Sequence, residues 1–363
     1  MKILYDYKIF YQQNAGGVSN YIYNLGVEML KLNYDIKIYS PIHKNLYLKK
    51  ISYKTNKNYF FPKLPSIGKQ FYESINHQLT TKFIKKFNPN IIHETYYSNR
   101  NYDKKIKTVC TVYDMINEIY PEYFPNHKNI SKIKLETIKR SDKIICISNK
   151  TKEDLINHFS IDKNKIEVVY LASGYSNNSK IINIKKKYGN FLLFVGSRYG
   201  YKNFQNFVKA YSQSKILKKN FKLLFFGGEK IGNFDYEVLR KNNLNFKDVL
   251  FLDDNNAKLE FLYKNVAALV YPSLYEGFGI PILEAMTFGC PVLSSNAGSL
   301  KEVGGEGLEY FNPKDVDDIS HKMEKVLFSE EILKNQIEYG FIRSKKFTWE
   351  KCAKETLKIY NQL

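Results

Sequence analysis

The sequence contains no stretch of about 20 uncharged apolar residues, so no membrane-spanning helix is expected. Met1-Lys-Ile-Leu-Tyr-Asp6 reads as a short strand broken by a charge, not as a signal peptide. Cysteine is scarce. Cys110, Cys146, Cys290 and Cys352 form no CxxC pair and have no histidine near them, which argues against a disulfide frame or a zinc site and for reduced thiols in a cytoplasmic protein. A GxGxxG fingerprint is also missing: Gly227-Gly-Glu-Lys-Ile-Gly232 has the wrong spacing for a dinucleotide loop. Asp315-Val-Asp317 sits among lysines and acids as an exposed turn, so no metal is expected there.

Acidic residues are few, 36 Asp+Glu against 56 Lys+Arg, for a net charge of +20. The imbalance is uneven: residues 1–180 hold 29 basic and 15 acidic side chains, residues 181–363 hold 27 and 21. One source is a compositional bias toward Lys, Asn, Ile and Tyr, visible in Lys54–Tyr59. The other is attraction of the N-terminal half to an anionic membrane surface or a phosphorylated acceptor. A nucleic-acid-binding protein is the rival reading of the same charge, marked by strongly salt-dependent binding.

What the chain does have is length and alternation. At 363 residues it fits two domains. Strands are predicted at 2–5, 36–39, 91–93, 108–112 and 143–148, separated by helical stretches such as 18–31. Residues 41–70, with Pro41, Pro62 and Pro65, read as a loop-rich excursion, and Ser173–Ser179 with Lys185–Lys187 as a linker. A second series follows, with strands at 191–196, 221–226, 249–252, 267–271 and 292–294, helices at 203–212, 236–242 and 258–264, and a final amphipathic helix at 349–360. Alternation of this kind predicts an α/β protein with two doubly wound, Rossmann-like parallel sheets.

The most informative segment is Tyr271-Pro-Ser-Leu-Tyr-Glu276-Gly277-Phe278-Gly279-Ile280-Pro281-Ile-Leu-Glu284-Ala-Met-Thr-Phe-Gly289-Cys-Pro291. A strand runs into a glycine loop and then a helix with proline in its first turn, so free amides and the positive helix end face the loop. That arrangement suits an anion. Glu276 and Glu284 beside it need hydrogen-bond donors, which sugar hydroxyls are, so the segment predicts a phosphate and a polyol together: a nucleotide sugar. Upstream, Gly196-Ser-Arg198-Tyr-Gly-Tyr-Lys202-Asn203 follows another strand and opens a helix. Arg198 can fork across phosphate oxygens, and Lys202 adds a point charge. Gly16-Gly17, ahead of the first long helix, offers backbone amides to a phosphate or an acceptor.

The string from Pro272 to Val292, with the cationic loop, resembles the donor site of retaining GT-B glycosyltransferases of family 4. The resemblance covers nearly the whole chain and is weakest from 41 to 90. It implies two Rossmann-like domains facing across a cleft: an acceptor-binding domain at 1–175, a nucleotide-sugar domain at 176–345, and a C-terminal helix at 346–363 returning to the first domain. It further implies a donor site of Gly196, Asn203, Gly277, Phe278, Gly279, Ile280 and Glu284, the last reading ribose hydroxyls. Glu276 would hold the transferred sugar, while Arg198 and Lys202 stabilise the departing diphosphate without a metal or other cofactor. Where the family usually has a histidine before an aspartate, this chain has Tyr113-Asp114. Either Tyr113 donates a hydrogen bond in its place or a different sugar or acceptor is handled; Asp114 either positions the acceptor hydroxyl or serves as a turn acid. His93 either replaces the missing imidazole or is structural.

The form of the motifs is most similar to mannosyltransferases of polysaccharide assembly, with GDP-mannose slightly favoured among hexose donors and a glycan or lipid-linked acceptor. No nucleic-acid partner is expected, and localisation is cytoplasmic or peripheral at a membrane surface. A sugar-nucleotide epimerase of similar architecture should lack the glutamate string, and a glycosidase has no use for Arg198 and Lys202.

Overall fold

A computed structural model of the chain describes residues 1–50, 58–63, 68–175, 188–253 and 258–363. The expected linker lies, from residue 176 to 187, outside the described residues, as does Pro65. The chain divides into two compact units, one of Met1–Leu171 with Thr348–Leu363 and one of Ala172–Phe347.

The first unit contains β1 (Lys2–Tyr5), α1 (Lys8–Gln12), α2 (Gly17–Lys31), β2 (Asp35–Ile38), β3 (Ile42–His43), α3 (Leu46–Lys50), β4 (Tyr59–Phe60) and α4 (Lys69–Phe87). It continues with β5 (Ile91–Glu94), β6 (Lys107–Val112), α5 (Ile116–Ile119), α6 (His127–Arg140), β7 (Lys143–Cys146), α7 (Asn149–Phe159) and β8 (Ile166–Val168). Six strands form a parallel sheet in the order β2-β1-β5-β6-β7-β8. The strands are short apolar runs buried on both faces, as helix-covered parallel strands must be; Ile3, Leu4, Ile92, Val109, Ile144 and Ile145 have essentially no exposure.

Among the described residues of the excursion at 41–70, β3 and β4 form a small parallel ribbon where its composition suggests loop. Asn76 of α4 clamps it: its Oδ1 accepts the Ile42 N–H at 2.8 Å and its Nδ2 donates to the Ile42 carbonyl at 3.0 Å. A side chain 34 residues away thus supplies the order that local propensity lacks.

The second unit holds β9 (Tyr188–Val195), α8 (Phe204–Gln213), α9 (Lys215–Asn220), β10 (Lys222–Phe226), α10 (Asn233–Lys241), β11 (Val249–Leu252), α11 (Leu259–Asn265) and β12 (Val266–Tyr271). Then come α12 (Ile280–Thr287), β13 (Val292–Ser295), α13 (Leu300–Gly304), β14 (Glu309–Phe311), α14 (Val316–Leu327) and α15 (Glu330–Ser344). Its parallel sheet runs β11-β10-β9-β12-β13-β14. Phe194, Phe204, Phe207 and Phe225 pack edge-on or stacked with centroids 5.0–6.4 Å apart, an arrangement favoured by the ring quadrupoles. α10 starts earlier than its apolar spacing predicts because the Asp235 carboxylate accepts the Gly232 N–H at 2.9 Å. Asp315, read from sequence as a turn acid, caps α14, its Oδ1 accepting the N–H groups of Asp317 and Asp318.

The last helix, α16 (Trp349–Tyr360), belongs to the first unit. Its Tyr360 hydroxyl hydrogen-bonds with Tyr5 at 3.2 Å and with His93 Nδ1 at 2.5 Å. The ring of Trp349 lies 6.2 Å from that of Tyr21. All four cysteines are free and buried.

Candidate functional site

In an open parallel sheet, ligands bind beyond the carboxyl ends of the strands, where the chain order reverses. That point falls at β9 and β12 in the second sheet and at β1 and β5 in the first.

At the β9/β12 point the two strongest sequence signals meet. Beyond β9, Gly196 turns with φ of 118°, which favours glycine. A single 3-10 turn, Gly200–Lys202, then delivers Lys202. Beyond β12 comes the glycine loop with Glu276. Lys202 Nζ donates to Glu276 Oε1 at 2.6 Å and to the Tyr271 hydroxyl at 3.2 Å, and Ser273 Oγ donates to the same glutamate oxygen at 2.6 Å. The loop is held from behind. Ser299 donates its N–H and Oγ to the Glu276 carbonyl and shares Oγ with the Phe278 carbonyl. Gly279, with φ of 99°, caps α12, which has proline in its first turn. The loop thus runs from the carboxylate that Lys202 holds to the positive end of α12, an arrangement that suits an anion.

Glu284, in the next turn of α12, is half-buried and accepts the Tyr263 hydroxyl at 3.1 Å. Burial pushes its carboxyl up to about 7, against the lowering effect of Tyr263. A carboxylate so placed gains from any hydroxyl that donates to it.

Other expected site residues face elsewhere. Arg198, expected to fork a diphosphate, is 2% exposed and turned into its own loop system. Its Nε donates to Asp235 Oδ1 at 2.6 Å, Nη1 to the Gly227 carbonyl at 2.9 Å and Nη2 to the Glu229 carbonyl at 2.5 Å. It clasps the β9 and β10 loops to the start of α10, while Lys202 is the cation that contacts Glu276 among the described residues. Asn203 is a second staple: in left-handed conformation, its Nδ2 donates to the Pro272 and Pro313 carbonyls at 3.0 and 2.7 Å. The Phe278 ring is buried edge-on to Phe347, so only its backbone belongs to the loop. Gly277 is buried and Ile280 half-buried, in the loop and at the helix start as expected.

In the first unit, Tyr113 turns inward and His93 takes the structural alternative. The Tyr113 hydroxyl donates to the Thr95 carbonyl at 2.9 Å, and the ring is packed among Tyr21, Tyr96 and Tyr97. Burial raises its phenol far above the ordinary range, so it neither titrates nor points outward. His93 is fully buried, Nδ1 on Tyr360 and Nε2 on Thr111 at 2.9 Å. Burial lowers its imidazole to about 3, so it stays neutral and structural. Asp114 is half-buried; its Oδ1 accepts the Ile116 N–H at 3.1 Å, the geometry of a turn acid. Gly16 and Gly17 stand ahead of and within the first turn of α2, with open space around Gly17.

Sequence reasoning passed over a polar group at the first unit's β1/β5 point. Asp6 binds Thr95 through N–H and Oγ1 at 2.9 and 2.7 Å, and Tyr102 at 2.9 Å. Lys8 pairs with Glu73 of α4, and Arg100 donates to Ser74 at 2.8 Å. Two atoms there have no partner among the described residues, the Tyr7 hydroxyl and His77 Nδ1. Tyr7 is 1% exposed, with Asp6, Glu73, Arg100 and Glu94 as charged neighbours. No motif spacing marks these residues; Asp6, Tyr7, Lys8 and Thr95 have only their position just after a predicted strand as a signal, and Glu73 and His77 of α4 have none. A separate polar cavity of about 420 Å³, lined by Asn99, Asn101, Glu136, Lys139 and Arg140, holds none of the predicted residues.

With this geometry in view, comparison with known proteins gives the class. Residues 15–172 match "Glycosyltransferase Family 4" and residues 176–343 match "Glycosyl transferases group 1". The chain belongs to this family of glycosyltransferases. Among its relatives is the serotype-specific mannosyltransferase WbdA of Escherichia coli, 30% identical over 71% of this chain and 34% of WbdA. The chain thus spans about a third of the length of that relative. The O-antigen chain mannosyltransferase B of Escherichia coli is 28% identical over 71% of both chains. HepE of Anabaena, solved with UDP and glucose, superposes with a TM-score of 0.75 at 15% identity over 100% of each chain. The fold is GT-B.

Proposed function

We propose that the chain transfers a hexose, with mannose favoured, from a nucleoside-diphosphate sugar to a hydroxyl of a glycan or lipid-linked acceptor. The observation that carries this is the contact at 2.6 Å between Lys202 and Glu276 at the head of α12. It joins a phosphate-binding cation, a helix N-terminus and a hydroxyl-reading carboxylate in one place. The mannosyltransferase names of the relatives support mannose, and so GDP-mannose as donor; HepE supports the nucleotide-sugar class.

Lys202 and the amides opening α12 stabilise charge growing on the departing diphosphate, and Glu284 takes the ribose hydroxyls. The carboxylate of Glu276 and the Gly277–Gly279 backbone orient the sugar. Transfer proceeds with retention: the acceptor oxygen attacks the face the diphosphate leaves, and a phosphate oxygen of the leaving group takes the acceptor proton. No metal is required, since cation and helix supply the positive charge. On the first unit, the Gly16–Gly17 backbone ahead of and opening α2 offers amides to the incoming hydroxyl compound. The basic excess of residues 1–180 favours work at the periphery of an anionic membrane surface.

The test is Lys202→Ala assayed with a panel of nucleoside diphosphates and their sugars, by calorimetry and by product formation. The variant should lose on the order of 100-fold in transfer, with weakened diphosphate binding. Transfer at the wild-type rate would refute the site.

A further inference from the structure

Lys202 and Glu276 satisfy each other, with side chains only 15% and 13% exposed. An anion approaching Lys202 therefore meets a carboxylate already seated on it. Displacing that carboxylate leaves a partly buried negative charge beside an incoming negative group, a costly state unless something donates to it. A hexose hydroxyl can donate; a bare diphosphate cannot.

We propose that Glu276 keeps the phosphate's place on Lys202 and yields it only to a ligand carrying both diphosphate and sugar, so that the site selects the donor against the sugar-free nucleoside diphosphate. The inference rests on the reading of this loop as a nucleotide-sugar site. On donor binding, Lys202 passes from the glutamate to a phosphate oxygen, and Glu276 passes from Lys202 to a sugar hydroxyl. Once the sugar has been transferred away, Glu276 has no sugar hydroxyl to hold, returns to Lys202 and competes with the spent nucleotide. Product release is then built into the same contact that recognises the substrate.

The backbone geometry makes this an exchange of side chains, not a movement of loops. The Leu274 N–H donates to the Tyr201 carbonyl at 2.7 Å, tying the Lys202 turn to the glutamate loop. Ser299 holds the Glu276 carbonyl from the other side at 3.2 Å through N–H and 3.0 Å through Oγ. Gly298, with φ of 60°, lies so close that a Cβ there would be 2.7 Å from the Glu276 N and O atoms. Both main chains are held, so the exchange is confined to the two side-chain ends. Ser273, on the same oxygen that Lys202 holds, remains to steady the carboxylate when the lysine leaves.

The experiment is calorimetric titration of the full chain with GDP, GDP-mannose, UDP and UDP-glucose, in wild type, Glu276→Gln, Lys202→Ala and the double variant. Glu276→Gln should bind the nucleoside diphosphate about tenfold tighter, as expected for releasing one partner of a desolvated pair. Its preference for the sugar nucleotide over the bare diphosphate should collapse. In the Lys202→Ala background the gain should vanish. If wild type binds the nucleotides and Glu276→Gln binds the diphosphate no tighter, the exchange is overturned while the donor site stands. A gain that persists without Lys202 is plain charge removal and also overturns it. If wild type binds none of the four, the donor site itself is wrong.

Discussion

The two sheets are both parallel and doubly wound, yet the carboxyl ends of their strands are furnished differently. Around β5 and β6 of the first unit the polar side chains are matched inside the protein: His93 with Tyr360 and Thr111, Glu94 with Arg140, Tyr113 with Thr95, and Lys134 with Glu118 at 2.7 Å. Beyond β9 and β12 of the second unit, Lys202 and Glu276 meet mainly each other, and Glu284 has a single tyrosine. A charged or aromatic residue after a strand is therefore ambiguous until its partners are known. Arg198 shows this within the second unit, since it lies four residues from Lys202 and serves the loops instead of a ligand.

Three experiments press on this contrast. The largest effect belongs to Arg198→Ala, which leaves the fully buried Asp235 carboxyl without its ion-pair partner; breaking such a pair costs about 3–5 kcal/mol. Denaturant unfolding should show that loss, whereas a purely ligand-binding arginine would leave the midpoint in place. Next, Tyr360→Phe strips partners from both His93 and Tyr5 and should cost about 1–3 kcal/mol. An unchanged midpoint would mean that the histidine is not held as described.

The smallest effect is a pH dependence at Glu284. Its carboxyl is raised from 4.5 to about 7, so in the empty protein it is largely protonated at mildly acidic pH. For folding alone, this group favours the native state fully below 4.5, and the advantage fades as pH rises toward 7. Ribose hydroxyls that donate to the ionised form reverse the sign for binding: nucleotide affinity should rise between pH 5.5 and 7.5, by up to about tenfold, then level off. Glu284→Gln should flatten the curve, and a wild-type affinity that falls over this range would exclude the hydroxyl contact.

Much of this was readable beforehand for a simple reason of distance along the chain. Residues 271–291 carry strand, glycine loop, helix start and both glutamates in one local segment, so spacing alone implied their geometry. Strand positions were equally local; Val249–Leu252 and the helix Trp349–Tyr360 fall where the pattern put them. What stayed hidden depends on long separations. Arg198 finds Asp235 across 37 positions, Tyr113 finds a backbone carbonyl that no pattern encodes, and the clamp of Asn76 on Ile42 crosses 34. Tyr7 and His77 are silent because a hydroxyl or imidazole lacking a partner is a property of three-dimensional surroundings.

The placement of Tyr360 against His93 also bears on how the chain is made. The first unit's core needs a helix encoded 267 residues after the strand it completes. On the ribosome, residues 1–171 emerge with the hydroxyl partner of His93 absent and the apolar faces of Tyr5 and Tyr21 uncovered. At synthesis rates of about 5–20 residues per second, that interval lasts on the order of ten to forty seconds. The second unit, by contrast, is contiguous from 172 to 347 and can close as soon as it is out. Order of synthesis and order of completion are thus reversed: the half of the molecule made first is the half finished last.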